Sequence, residues 1–193
     1  MTDIQAVLSA LEVFTQTPDK AALEKANLWL QDFQHSTAAW STCNVLLLSP
    51  DAPPAAKVFA AQTFRAKVTY DLNQVDPSQL SSLRETLLTA LKSYQAGPRA
   101  IIVQLCLAVA GLALQFPAWE NAVQTMITTF GSNPETVPVL LQFLTLLPEE
   151  LHTNAKIPIT DYEWNERVSN LLTGNAKQVL DLLSMYIQAA GKS

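Results

Sequence analysis

Proline recurs where amphipathic segments of this chain begin, and the segments come in pairs at a nearly constant interval. Helical spacing of apolar residues sets in near Asp3, Thr17, Ser36, Pro54, Pro77, Pro98, Pro117, Pro134, Thr160 and Asn175. Grouped two by two, the pairs open at residues 3, 36, 77, 117 and 160, in steps of 33, 41, 40 and 43. Proline at a first helical position forfeits no hydrogen bond, because that N–H has no partner inside the helix. It therefore marks starts here rather than breaks. No stretch alternates polar and apolar residues with period two, so the chain reads as all-α.

A two-helix unit repeating every ~40 residues is the pattern of a HEAT-type α-solenoid. The expected architecture is a right-handed α-α superhelix of about five helix pairs, with residues 1–193 forming a single arch. In such arrays each unit touches only its neighbours, and the extended surface does the work. A binding scaffold is expected, not an enzyme.

The local signals agree along the chain. Ile4, Val7, Leu8, Leu11 and Phe14 share one helical face, and Thr17 with Pro18 predicts the cap of the next helix. Leu23, Ala26, Leu30 and Phe33 form its stripe. Ala39, Trp40, Cys43 and Leu47 follow, then a turn at Ser49 to Pro54 and a helix from Ala55 to about Leu72. Leu80, Leu83, Leu87, Leu91 and Tyr94 carry the third unit's first helix, and Gly97-Pro98 turns the chain. From Pro98 to Phe116 the helix is apolar nearly all round, with Ala108, Ala110, Gly111 and Ala113 inviting close approach. Such a helix must be covered on several sides, as in the middle layer of a stack. Trp119, Val123, Met126, Ile127 and Phe130 mark the next helix. Val137, Leu140, Leu141, Leu144 and Leu147 mark the one after. Pro148 to Ile159 is expected to be the longest loop, and Thr160 with Glu163 to form a capping box. The last stripe, Val179, Leu182, Leu183, Tyr186 and Ile187, is not followed by a polar capping unit, so the chain is expected to be the N-terminal piece of a longer solenoid.

Composition narrows the function. With 49% hydrophobic and only 15% charged residues, the chain can bury a large core. Seventeen acids against twelve bases give a net charge of -5, without the concentrated basic footprint that phosphate binding needs, so no direct nucleic-acid contact is expected. Met1 to Ala6 holds an acid and no basic run, unlike a secretory leader. The longest apolar stretch, Ala100 to Leu114, is too short to span a bilayer and contains Gln104. Cys43 and Cys106 sit on apolar stripes and read as buried thiols in a reducing, intracellular setting. Catalysis and cofactors are not expected: His35 and His152 are far apart, no zinc-ligand spacing occurs, and the five glycines form neither phosphate-binding pattern.

Several segments together resemble the importin-β (karyopherin-β) superfamily, most closely its transportin-SR branch with the fungal mRNA transport regulators. They are Leu30-Gln31-Asp32-Phe33-Gln34, then Ser36 with Ala39-Trp40 and Cys43, and the long run Phe59-Ala60-Ala61-Gln62-Thr63-Phe64-Arg65-Ala66-Lys67-Val68-Thr69-Tyr70-Asp71-Leu72. Gln104-Leu105, Leu112-Ala113-Leu114-Gln115, Trp119 and Leu147-Pro148-Glu149-Glu150 continue the set in order. The resemblance implies an importin-β N-terminal-like region at about 18–95 and exportin/importin-like repeats at about 98–193. It implies a nuclear transport receptor that shuttles between nucleus and cytoplasm. The GTP-bound form of the small GTPase Ran would be received on the second helix of each pair. Cargo of the serine/arginine-rich, RNA-binding class would be held by repeats that this chain does not include. Nucleoporins are a further partner class that the resemblance admits. Two other readings stay open: a structural adaptor indifferent to nucleotide state, and the N-terminus of an exportin.

Arg65 and Lys67 match basic positions of the family's second-unit inner helix, and Gln62, Gln31, Gln34 and Gln104 complete the candidate Ran-GTP contacts. Charge-assisted hydrogen bonds from such cations are about twice as strong as neutral ones. The alternatives are solvated helix charges for Arg65 and Lys67, and hydrogen bonds to neighbouring helices for Gln62 and Gln104. Gln31 and Gln34, with Asn27 and Glu24, lie on the face opposite Leu23, Ala26, Leu30 and Phe33. Phe59, Phe64, Trp40 and Trp119 are expected in the core, while Trp29 lies off the stripe. Glu149, Glu150, Asp161 and Glu163 are either an acidic patch for basic partners or solvated acids near a helix start.

Overall fold

The computed structural model describes residues 2–16, 19–153, 157 and 159–191. Among them are ten α-helices in five consecutive pairs, and no strand. The pairs are α1 (Asp3–Gln16) with α2 (Lys20–His35), α3 (Ala38–Leu48) with α4 (Pro54–Tyr70), and α5 (Leu80–Ser93) with α6 (Arg99–Gln115). They continue with α7 (Ala122–Phe130) and α8 (Val137–Thr153), then α9 (Asp161–Leu171) and α10 (Ala176–Ala190). The second helices α4, α6 and α8 pack side by side in that order, while α3, α5 and α7 each lie against their own partner. The result is the expected all-α, HEAT-like superhelix.

The middle helix explains the stack. From Leu105 to Leu114 every residue of α6 is buried, because α4, α5, α8 and α9 all touch it. Its small residues make that possible. A Cβ on Gly111 would stand 3.3 Å from Val68 Cγ1 of α4, and Ala110 and Ala113 have no exposed surface at all.

Four starts or ends differ from expectation. The Thr17-Pro18 cap lies outside the described residues, and the N-cap of α2 is Asp19, whose carboxylate accepts from Ala21 N at 3.1 Å. Pro117 does not open α7. Trp119 turns inward instead, only 1% exposed, with its indole N–H donated to Thr125 Oγ1 at 3.2 Å, so the helix waits until Ala122. Pro134 likewise precedes α8 by a turn in which Thr136 donates to Phe130 O at 2.7 Å. The loop expected from Pro148 is helix up to Thr153. Proline inside a helix removes one hydrogen bond, but Leu147 and Leu151, 2% and 1% exposed, hold the chain down on both sides of it. The capping box is as expected: Thr160 Oγ1 accepts from Glu163 N at 3.3 Å, and Glu163 Oε2 accepts from Thr160 N at 2.9 Å.

A helix leaves its last carbonyls without intrahelical donors, and here a later pair supplies them. Tyr94 Oη donates to Leu47 O of α3 at 2.5 Å. Gln115 Nε2 donates to Val68 O of α4 at 2.7 Å, and Tyr186 Oη to Gly131 O after α7 at 2.7 Å. The guanidinium of Arg167 on α9 serves α6, donating to Ala113 O, to Leu114 O at 3.3 Å and to Phe116 O at 3.2 Å.

Candidate partner-binding face

The candidate residues fall on the second helices: Gln31 and Gln34 on α2, Gln62, Arg65 and Lys67 on α4, and Gln104 on α6. Gln31 and Gln62 are exposed, and Gln104 and Arg65 are half-buried. Gln34 is turned inward. Its Nε2 donates at 3.0 Å to Thr63 Oγ1, which itself donates to Phe59 O at 2.8 Å. That bond ties α2 to α4, so Gln34 does not stand on the open face with Gln31.

Lys67 departs furthest from expectation. Its residue exposure is 0%, so it is neither a solvated charge nor a side chain that reaches outward. The ammonium lies under the C-terminal end of α2, donating to Ser36 O at 2.9 Å, to His35 O at 3.3 Å and to Gln74 Oε1. Asp71 Oδ2 stands 3.3 Å away, and the Trp40 ring centroid 5.2 Å away. The end of a helix carries partial negative charge, so a cation there is favoured. Burial pulls the lysine below its usual pKa, and the Asp71 carboxylate opposes that pull. His35 Nδ1 shares Asp71 at 3.0 Å, and Gln74 Nε2 donates back to His35 O at 2.9 Å. The cluster welds the junction of the first two pairs.

Arg65 points the other way. Its side chain is 42% exposed, and Nη2 lies 3.5 Å from Glu150 Oε2, a carboxylate only 4% exposed. Glu150 therefore cannot join an exposed acidic patch with Glu149, Asp161 and Glu163, which do lie on the surface. Sequence reasoning placed Glu150 on the surface, where it is not, and passed over Arg167, which is also buried. Arg167 did leave a signal, since it sits three residues after Trp164 and one before Val168, on the buried stripe. Glu150 left none while its segment read as loop.

Phe59 and Phe64 are core residues, 7% and 1% exposed. Trp29, 38% exposed, stacks on Phe33 with centroids 5.4 Å apart, and Phe33 in turn lies 6.4 Å from Phe59. Cys43 and Cys106 are fully buried, and burial pushes both thiols up to about 12. Among the described residues no group of three or more His, Cys, Asp or Glu could hold a metal ion, and no helix is long and apolar enough to cross a membrane.

Residues 26–93 match the model of the importin-beta N-terminal domain, and residues 98–193 match that of the Exportin 1-like protein. The chain is 39% identical over 186 residues to the mRNA transport regulator MTR10 of Saccharomyces cerevisiae, covering 95% of this chain and 18% of that protein. It is 33% identical over 187 residues to transportin MOS14 of Arabidopsis thaliana, covering 95% and 19%. Against human importin-13 it is 30% identical over 159 residues, covering 78% and 16%. The chain thus spans about a fifth of the length of the relatives it matches. With helices paired along the chain, two matching domain models over 26–93 and 98–193, and relatives named as transport regulator, transportin and importin, this chain belongs to the importin-β superfamily, in its N-terminal region.

Proposed function

We propose that this chain is the end of a nuclear import receptor that receives Ran in its GTP-bound form on the row of second helices. One observation carries the reading: the match to the importin-beta N-terminal domain spans α2 to α5, and on those helices Gln31, Gln62 and the half-exposed Arg65 remain open to a partner. Gln104 extends the same row onto α6. Lys67 and Gln34 act behind it, fixing α2 against α4. In a complete receptor Ran-GTP and cargo would each lower the other's affinity, by the same factor in both directions. The resemblance to the transportin-SR branch implies cargo of the serine/arginine-rich, RNA-binding class, and relatives are named mRNA transport regulator and transportin. That cargo, and nucleoporins, would be met by other repeats, and the receptor would shuttle between nucleus and cytoplasm as a carrier, not an enzyme.

The last pair supports a longer solenoid. α10 buries none of its residues and exposes Leu180, Met185 and Ile187. A further helix pair of the same protein is the occupant we assign to that face, given relatives of about five times the matched length.

The test is a titration of the folded chain against Ran loaded with a non-hydrolysable GTP analogue, with Ran-GDP alongside. Selective binding of the GTP form is expected. Absence of selectivity, while a full-length relative discriminates under the same conditions, would overturn the reading and favour an adaptor. The Exportin 1-like match over 98–193 supports a second reading, the N-terminus of an exportin. In an extended receptor the sign of the coupling separates the two, because an exportin binds cargo more tightly with Ran-GTP present.

A further inference from the structure

Arg65 and Glu150 belong to α4 and α8, which are not neighbours in the row of second helices. Between α4 and α8 runs α6, which packs along both, and yet Arg65 Nη2 comes within 3.5 Å of Glu150 Oε2. Two features allow this. The middle helix is slim in its central turns, with Ala108, Ala110 and Gly111. Glu150 also stands two residues beyond Pro148, where the helix lacks one of its hydrogen bonds. The pair is asymmetric. The carboxylate is buried, and pairing with Arg65 offsets part of its lost hydration, whereas the guanidinium is 42% exposed.

We propose that Arg65 and Glu150 form a clasp across the third helix pair that sets the curvature of the α4–α6–α8 row, and that an acidic group of a docked protein takes Arg65 only by opening it. The second half of this statement rests on the reading of the row as the GTPase-binding face. The first half does not.

Spin labels at Lys25→Cys on α2 and Thr145→Cys on α8, both exposed positions, report the span by electron–electron distance measurement. The native thiols are buried and protonated and stay unlabelled. With no partner present, Arg65→Gln and Glu150→Gln should each lengthen and broaden the distance distribution, and the double variant should add nothing further. A distribution for Arg65→Gln that superimposes on the parent's would overturn the clasp. This variant reads out even where Glu150→Gln fails to fold, because it alters only the exposed member. With GTP-loaded Ran, Glu150→Gln should bind more tightly than the parent and Arg65→Gln more weakly. If distances shift but Arg65→Gln binds Ran as the parent does, the clasp stands and the competition for Arg65 falls. Loss of selective binding by the parent itself would instead strike the GTPase reading.

Discussion

Lys67→Met separates the structural role of Lys67 from a partner contact, because it keeps most of the side-chain volume and removes the charge. Ser36 O then loses its 2.9 Å bond at the end of α2, and Gln74 Oε1 loses its donor. His35 O keeps the 2.9 Å bond from Gln74 Nε2, and Asp71 keeps His35 at 3.0 Å. A buried acceptor left unpaired costs about 1–3 kcal/mol, and the lost cation–π contact with Trp40 adds about 0.5–2 kcal/mol. Relief from holding an ammonium out of water offsets part of this. Removing one member of a buried pair costs about 3–5 kcal/mol as a rule, so a net loss of about 2–4 kcal/mol follows here. At ~2–4 °C per kcal/mol for a chain of this size, Tm should fall by roughly 5–15 °C. Urea unfolding followed by far-UV circular dichroism and tryptophan fluorescence measures the change. A Lys67→Met protein that melts with the parent but no longer binds GTP-loaded Ran would refute the buried-staple argument and return Lys67 to the partner face.

Three further outcomes are expected. Leu105→Ala, at a position with no exposed surface in the most covered helix, should cost ~2–5 kcal/mol in chemical denaturation, and an unchanged midpoint would undo the central-layer assignment of α6. Cys43 and Cys106, with thiols pushed up to about 12 by burial, should resist a disulfide-exchange reagent at pH 8 in the native state and react on unfolding; prompt native reaction would contradict their burial. Hydrogen bonds from Thr160 hold the Glu163 carboxyl below its ordinary pKa, so the capping box contributes stability above the unfolded carboxylate value and loses it as pH falls through the folded one. A carbon NMR titration should show that depressed midpoint, and Thr160→Ala should raise it only part of the way, because the backbone N–H of residue 160 still donates to the carboxylate.

Helical periodicity revealed the pairs because each helix hides one stripe, and stripe spacing is a property of the sequence alone. Proline was a weaker guide. Pro54 stands at a first helical position, yet Pro117 does not, because Trp119 finds a better place in the core than in a helix and delays α7 to Ala122. Pro148 misled in the opposite direction: burial of Leu147 and Leu151 outweighs the hydrogen bond that the proline removes. Among the candidate site residues, Lys67 was partly legible. It lies four residues after Thr63 and three after Phe64, on the stripe that packs, where a cation must have acceptors waiting. What no local pattern could state is that those acceptors are the carbonyls of His35 and Ser36, more than thirty residues earlier.

The same division decides which polar residues remain for a partner. Helix ends expose carbonyls that a close-packed stack cannot leave dry, and this chain meets them with side chains from later pairs: Lys67 for α2, Tyr94 for α3, Gln115 for α4, Arg167 for α6 and Tyr186 for α7. Each such residue is committed by geometry, since moving it outward would strand an acceptor at a cost of about 1–3 kcal/mol. The polar side chains of the second-helix row that lack such a duty are therefore the ones able to exchange water for another protein without loosening the stack. Gln31 and Gln62 satisfy that condition outright, and Arg65 satisfies it on condition that Glu150 is released. A partner surface rich in carboxylates would meet one cation here rather than two, so charge reversal at Arg65 should alter binding far more than at any other base of α4. A larger effect at Lys57, the remaining base of that helix, would show that contact lies at its N-terminal end instead.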